Sequence, residues 1–99
     1  MAFEMIIGLR VIDHEKYAQY RAAIAPLLDL AGGRFRYDFE VARTLKAEGA
    51  QNLNRVFVLQ FPSRSAKEGF FGEARYLEIR REFFEEAVES TAIIAEYGL

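Results

Sequence analysis

Phe3, Met5, Ile7, Leu9 and Val11 alternate with Glu4, Ile6, Gly8, Arg10 and Ile12, and a period of two with one wholly apolar face predicts a first β-strand. Asp13 then offers a side-chain oxygen to the free amides of a helix start, and Tyr17, Tyr20, Ile24, Leu27, Leu28 and Ala31 recur at helical spacing. Pro26 removes one backbone donor and predicts a kink in that helix. Gly32 and Gly33 predict its end, because glycine adopts the left-handed conformation without steric penalty. Phe35, Tyr37, Phe39 and Val41 alternate with Arg34, Arg36, Asp38 and Glu40, giving a second strand with one aromatic and one charged face. Residues 46–54, with Gly49, Gln51 and Asn52, read as the turn of a hairpin.

The run from Arg55 to Phe61 is apolar on both faces and predicts a central strand, stopped by Pro62. Ser65 and Glu68 stand at capping-box spacing for a short helix that breaks near Gly72. Tyr76, Ile79, Phe83 and Ala87, with Leu77, Phe84 and Val88 beside them, continue as a longer amphipathic helix. Residues 91–97 close the chain as a last strand.

The order strand, helix, strand, strand, helix, strand predicts an α+β fold: a ferredoxin-like βαββαβ sandwich with a four-stranded antiparallel sheet. Right-handed crossovers put the first and third strands in the centre and the second and fourth at the edges. Two helices cover one face only. The other face is expected to show Ile6, Ile12, Val56, Val58 and Ile93 or Ile94, rimmed by Arg34, Arg36, Asp38 and Glu40. An apolar centre with a charged rim is the pattern of an interface, so a homodimer through the helix-free sheet face is expected.

Length supports that expectation. The 99 residues form one domain, and a chain of this size buries only about two-thirds of the surface its unfolded form exposes. Thirteen Lys plus Arg against fifteen Asp plus Glu leave a net charge of -2, the wrong sign for a dedicated nucleic-acid binder. Zero cysteines remove disulfides, thiolate catalysis and thiolate metal sites, and one histidine cannot make a His-rich zinc site. The opening residues lack the basic segment, long apolar segment and cleavage site of a secretory signal. Pro26 and Asp29 interrupt the most apolar stretch, so no membrane span and a cytoplasmic location are expected. Gly32-Gly33 follows a helix, whereas a phosphate cradle follows a strand and opens a helix; no nucleotide site is indicated.

Asp13-His14-Glu15-Lys16-Tyr17-Ala18-Gln19-Tyr20, then Ala25-Pro26, Gly32-Gly33-Arg34-Phe35, and Phe61-Pro62-Ser63 followed by Tyr76, form an ordered set. As a set they resemble a bacterial family, domain-of-unknown-function family 1330, within the dimeric alpha/beta barrel superfamily. The resemblance spans nearly the whole chain and implies two ferredoxin-like sheets paired into a dimeric alpha/beta barrel. Relatives in that superfamily include cofactor-free monooxygenases, decyclising isomerases and haem-handling enzymes, while the family itself implies fold and dimer more than chemistry. The chain departs from the family pattern at Asp38-Phe39, where a basic residue and paired glycines are usual. It departs again at Glu73-Ala74-Arg75-Tyr76, where Ser-Pro-Glu-Tyr is usual and only the tyrosine carries over.

Arginine, tyrosine and carboxylate remain as the available site chemistry. His14 and Arg34 are the candidate catalytic residues: His14 as a neutral imidazole base at a helix start, against a plainer reading as a solvated first-turn residue. Arg10, Arg34, Arg36 and Arg55 could hold a carboxylate or enolate, or could make salt bridges with Asp38, Glu40 or Glu4. Tyr17, Tyr20, Tyr37 and Tyr76 could line a pocket, each with an apolar body and one polar tip, or could be core with a satisfied hydroxyl. Tyr17, Arg34 and Tyr76 are the candidate substrate-binding residues, because they also fall in the resembling segments. Glu82, Glu85, Glu86 and Glu89 lack a Glu-x-x-His partner and read as a solvated helix face. Three functions fit: a dimer binding a small apolar or aromatic carboxylate in a helix-sheet cleft without a resident cofactor; a cofactor-independent monooxygenase or isomerase; and a structural or interaction dimer with no ligand.

Overall fold

In the computed structural model, which describes residues 2–49 and 52–99, four strands form one open antiparallel sheet. Strand β1 spans Phe3–Val11, β2 Arg34–Glu40, β3 Arg55–Phe61 and β4 Val88–Gly98, in the spatial order β2-β3-β1-β4. The two strands predicted to be central are central. Helices α1 (His14–Leu30), α2 (Arg64–Gly72) and α3 (Ala74–Ile79), a π-helical segment Arg80–Phe84 and a last turn α4 (Glu85–Ala87) supply the second layer. Phe3, Met5, Ile7, Leu9 and Val11 all point into the core between the layers, as their alternation requires.

Helix α1 starts where Asp13 Oδ1 accepts the Lys16 amide at 2.9 Å. It runs on through Pro26 as one continuous element; Pro26 and Ala22, whose carbonyl loses a helical donor, both lie on the exposed side where water can replace the bond. Its end is a Schellman motif: the Gly33 amide reaches the Leu28 carbonyl at 2.9 Å and the Gly32 amide that of Asp29 at 3.0 Å, with Gly32 at φ 72.

Three sequence expectations shift in register. Helix α2 begins two residues early, because Ser63 Oγ accepts the Ala66 amide at 3.0 Å and Ser65 with Glu68 makes no capping box. Glu73 caps α3 through the Tyr76 amide at 3.1 Å, so it performs at this position the capping that a serine could supply. The π-helical segment inserts one residue of phase between Ile79 and Phe84. Phe84 is therefore fully inside and Phe83 only partly, whereas a regular helix would have favoured Phe83. The last strand is also longer than residues 91–97, beginning at Val88.

The largest correction concerns β2. A bulge between Phe35 and Tyr37 breaks its alternation, and one extra residue turns every later side chain to the opposite face. Phe35 stays on the helix-covered side, but Tyr37 and Phe39 emerge on the helix-free side with about half their surface exposed. Asp38, expected on the rim of the free face, goes instead to the covered side, beside Arg21 of α1. The segment between β2 and β3 has no regular structure among its described residues, and residues 50 and 51 of the expected 46–54 turn lie outside them. Asn54 pins its end: its side chain makes two 2.8 Å hydrogen bonds with the Val11 backbone, a side-chain imitation of strand pairing. Leu53 lies over Gly8, where a Cβ would stand 2.7 Å from a leucine methyl, so any larger residue would require the Leu53 side chain to shift.

Candidate functional site

Between the helices and the sheet lies a cavity of about 290 Å³. Its walls are apolar side chains of β1, β3 and the helices, among them Ile7, Phe57 and Phe70, and exposed Thr91 and Ile93 of β4 stand at its edge. The lining residues that carry polar groups are Tyr17, Tyr20, Lys67 and Arg80, with Thr91 at the edge. No histidine or carboxylate is among its described lining residues.

The π-helical segment supplies two of these walls. Phe84 packs 4.9 Å from the Tyr20 ring, and the Arg80 guanidinium carbon sits 4.8 Å over the Phe84 ring. Tyr20 and Arg80 thus flank the same aromatic ring. Tyr20 and Tyr76 share a buried hydrogen bond of 2.9 Å between their hydroxyls. Burial, reinforced by the neighbouring Tyr76, pushes the Tyr20 hydroxyl far above its ordinary value, so it stays protonated. Tyr17 is likewise raised, chiefly by burial, and accepts a 2.9 Å hydrogen bond from Arg21 Nη1. Lys67 is paired with Glu96 at 3.0 Å; Arg80 has no carboxylate partner among the described residues.

Next to the cavity, Asp38 is held by Arg55 through two 2.8 Å bonds and by Arg21 at 2.9 Å. Arg21 also lies 3.7 Å over the Phe35 ring. The Arg55 hydrogen bonds hold the Asp38 carboxyl below the usual carboxylate range against the opposing effect of burial.

A second polar cluster occupies the helix-free face. The register places Arg34, Gln60, Glu4 and Tyr97 in one row across all four strands. Glu4 accepts from Arg36, from Gln60 Nε2 at 2.8 Å and from the Tyr97 hydroxyl at 2.8 Å, and Arg34 Nε donates to Gln60 Oε1 at 3.0 Å. Glu4 is only 2% exposed, screened by its own partners and not by a second layer of protein. The Arg36 hydrogen bond, joined by those of Tyr97 and Gln60, holds its carboxyl below the usual range although burial opposes this. Around the row the face is apolar, with Ile6, Val56, Val58, Tyr37 and Phe39, and Ile94 close to Gly8. A register shift between Ile6 and Ile7 in the pairing with β4 sends Ile93 to the covered side.

The structure separates the residues singled out in the sequence. Tyr17 lines the cavity, and Tyr76 stands behind its wall, bonded to Tyr20 and packed on Phe70 and Phe71. Arg34 stands on the opposite face of the sheet, so it does not converge with the two tyrosines: alternation puts it on the same side as Gln60 and Glu4. His14 is exposed at the start of α1 and lines none of the cavities described. Of the four strand arginines, Arg36 and Arg55 make the salt bridges weighed for them, with Glu4 and Asp38. Tyr20, weighed with the other tyrosines as a pocket residue, does line the cavity, while sequence reasoning missed Lys67 and Arg80. Their only signal was a cation placed inside an apolar helical run, which is ordinary for an amphipathic helix.

This is a ferredoxin-like α+β protein with an apolar, donor-lined cleft between its layers. It belongs to the family described as Domain of unknown function (DUF1330), whose model matches residues 5–97. Among solved structures it is similar to a protein of unknown function from Rhodopseudomonas palustris, at 20% identity and a TM-score of 0.81 over 97% of this chain and 80% of that one. It is also similar to a dabb family protein with a ferredoxin-like fold from Mesorhizobium loti, at 13% identity and a TM-score of 0.69 over 99% and 96%. A dimeric protein of unknown function and ferredoxin-like fold from Bacteroides fragilis matches at 15% identity and a TM-score of 0.60 over 99% and 96%. No curated protein matches the sequence. No helix among the described residues is long and apolar enough to cross a membrane.

Proposed function

We propose that the protein is a homodimeric, cytoplasmic binding protein that holds a small apolar or aromatic carboxylate in the helix-sheet cavity, in a chain that folds as one domain. The observation that carries this reading is the cavity itself: about 290 Å³, walled by aromatic and aliphatic side chains, with an Arg80 guanidinium that no carboxylate of the described residues neutralises. A cavity of about 150 Å³ suffices for benzene, so the volume admits one substituted ring. A guanidinium at the edge of an apolar space favours a carboxylate over a neutral ring. Catalysis of the monooxygenase or isomerase kind would need a base beside the substrate; the described lining residues offer no histidine or carboxylate, and their one lysine, Lys67, is held by Glu96, which favours binding.

The homodimer rests on the helix-free face, whose centre of Ile6, Val56 and Val58 is apolar and whose rim carries Tyr37 and Phe39. The Bacteroides fragilis protein of similar fold is described as dimeric. Two measurements test the proposal. Thermal shift and calorimetric titration with benzoate and short-chain aliphatic carboxylates should show saturable binding that Arg80→Gln weakens; no binding by any of them refutes the ligand reading. Light scattering should give twice the chain mass at micromolar concentration and half of that for Val58→Glu. A monomeric wild type refutes the dimer.

A further inference from the structure

We infer that the cavity reads its ligand through acceptor oxygens, with the Tyr20 hydroxyl as the buried donor that sets specificity and Tyr76 as the donor whose hydrogen bond leaves the Tyr20 hydrogen free. This rests on the carboxylate-binding reading of the cavity and says which atoms do the recognition.

The argument is an accounting of hydrogens. Two hydroxyls 2.9 Å apart share one hydrogen bond and own two hydrogens, so one hydrogen of the Tyr20–Tyr76 pair is left over. Neither hydroxyl has another partner among the described residues, and both residues are more than nine-tenths buried. Tyr20 lines the cavity and Tyr76 does not. If Tyr20 donated to Tyr76, the spare hydrogen would stay on Tyr76, which is 2% exposed and does not line the cavity. If Tyr76 donates to Tyr20, the spare hydrogen belongs to Tyr20 and faces the cavity. The second arrangement leaves no polar hydrogen stranded once an acceptor is bound, and stranding one in dry protein is costly.

Apart from Thr91, exposed at the edge and able to donate or accept, the other polar lining residues point the same way. Tyr17 already spends its oxygen on Arg21, so what it has left to offer is a hydrogen. Lys67 and Arg80 are donors only. Tyr20 and Arg80 both pack against the Phe84 ring, which brings a neutral donor and a cationic one into one neighbourhood of the cavity lining. A group with two acceptor oxygens and no hydrogen satisfies both; an amidine or ammonium satisfies neither. Burial keeps the Tyr20 hydroxyl protonated at all ordinary pH, as a fixed donor must be.

Three probes of nearly equal shape separate the possibilities: benzoate, with acceptors only; benzamidine, with donors only; and toluene, with neither. NMR titration of the intact protein should show benzoate and toluene binding and benzamidine excluded. Tyr20→Phe should lower benzoate affinity about tenfold or more and leave toluene affinity within about twofold. Tyr76→Phe, which keeps the Tyr20 hydroxyl, should change benzoate affinity by less than about threefold. Toluene binding together with equal affinity for benzoate and benzamidine overturns the inference and leaves the cavity as an apolar site. So does a Tyr20→Phe variant that holds benzoate as well as the wild type. If Tyr20→Phe does not fold, Tyr76→Phe decides alone: a tenfold gain means Tyr20 was donating to Tyr76, a tenfold loss means Tyr76 itself holds the ligand, and either refutes the assignment. Failure of all three probes to enter the cavity refutes this inference and the binding reading together.

Discussion

The two faces of the sheet each hold a carboxylate clamped by arginine, yet they use their hydrogen-bond donors in opposite ways. On the helix-free face every donor near Glu4 is spent: Arg36, Gln60 and Tyr97 all converge on its two oxygens. On the covered face Asp38 satisfies Arg21 and Arg55, but Tyr20, Tyr17 and Arg80 keep donors facing an apolar cavity. A closed network contributes stability and pins strand register; an open set of donors contributes little until something is bound. The same residue types thus serve structure on one face and recognition on the other, and what differs is whether an acceptor is already present.

Isosteric substitutions can break this contrast in order of size. Glu4→Gln replaces a carboxylate that accepts three hydrogen bonds by an amide with one acceptor oxygen, and should cost about 2–3 kcal/mol in urea denaturation. Asp38→Asn, at a partly exposed site where Arg21 and Arg55 can turn to water, should cost about 1–2 kcal/mol. Tyr20→Phe removes a single neutral hydrogen bond and should cost about 1 kcal/mol. If Tyr20→Phe proved the most damaging of the three, the covered face would be the closed network and the comparison would be inverted.

Acid provides a sharper version without mutation. Glu4 and Asp38 both have carboxyls held below the usual range by their arginine partners. Their stabilising contribution is therefore complete above the unfolded-state value, near pH 4, and is lost as pH falls through the lower folded-state values. Wild type should lose stability steeply below about pH 4, and Glu4→Gln should flatten that slope by removing one of the two groups. An unchanged slope would mean that Glu4 is not held in its ionised form by the row of partners.

Much of the fold was legible along the chain. The alternation of β1, the doubly apolar β3 and the glycine pair after α1 each reflect a local rule: pleat, burial on both sides, and the left-handed cap. What local pattern did not carry was phase after an insertion. The bulge in β2 moved Tyr37, Asp38 and Phe39 across the sheet, and the π-helical segment moved Phe84 inward and set Arg80 beside it, because one added residue rotates everything after it. The grouping of candidate residues was least legible: Tyr17 lines the cavity, Tyr76 stands behind its wall, Arg34 lies on the opposite face of the sheet, and Arg80 and Lys67 carried no distinguishing spacing.

By itself the chain's pattern of apolar and polar residues determined the element order, the central pair of strands and the presence of a helix-free face with an apolar centre. Those follow from periodicity and chain length, which act over a few residues at a time. Tertiary structure alone decided which donors met an acceptor. Glu4 lies 32 residues from Arg36, 56 from Gln60 and 93 from Tyr97, and only sheet register brings them together. The spare hydrogen of Tyr20 and Tyr76, likewise 56 residues apart, exists as a recognition element only because the helices close over the sheet and leave a space beside it.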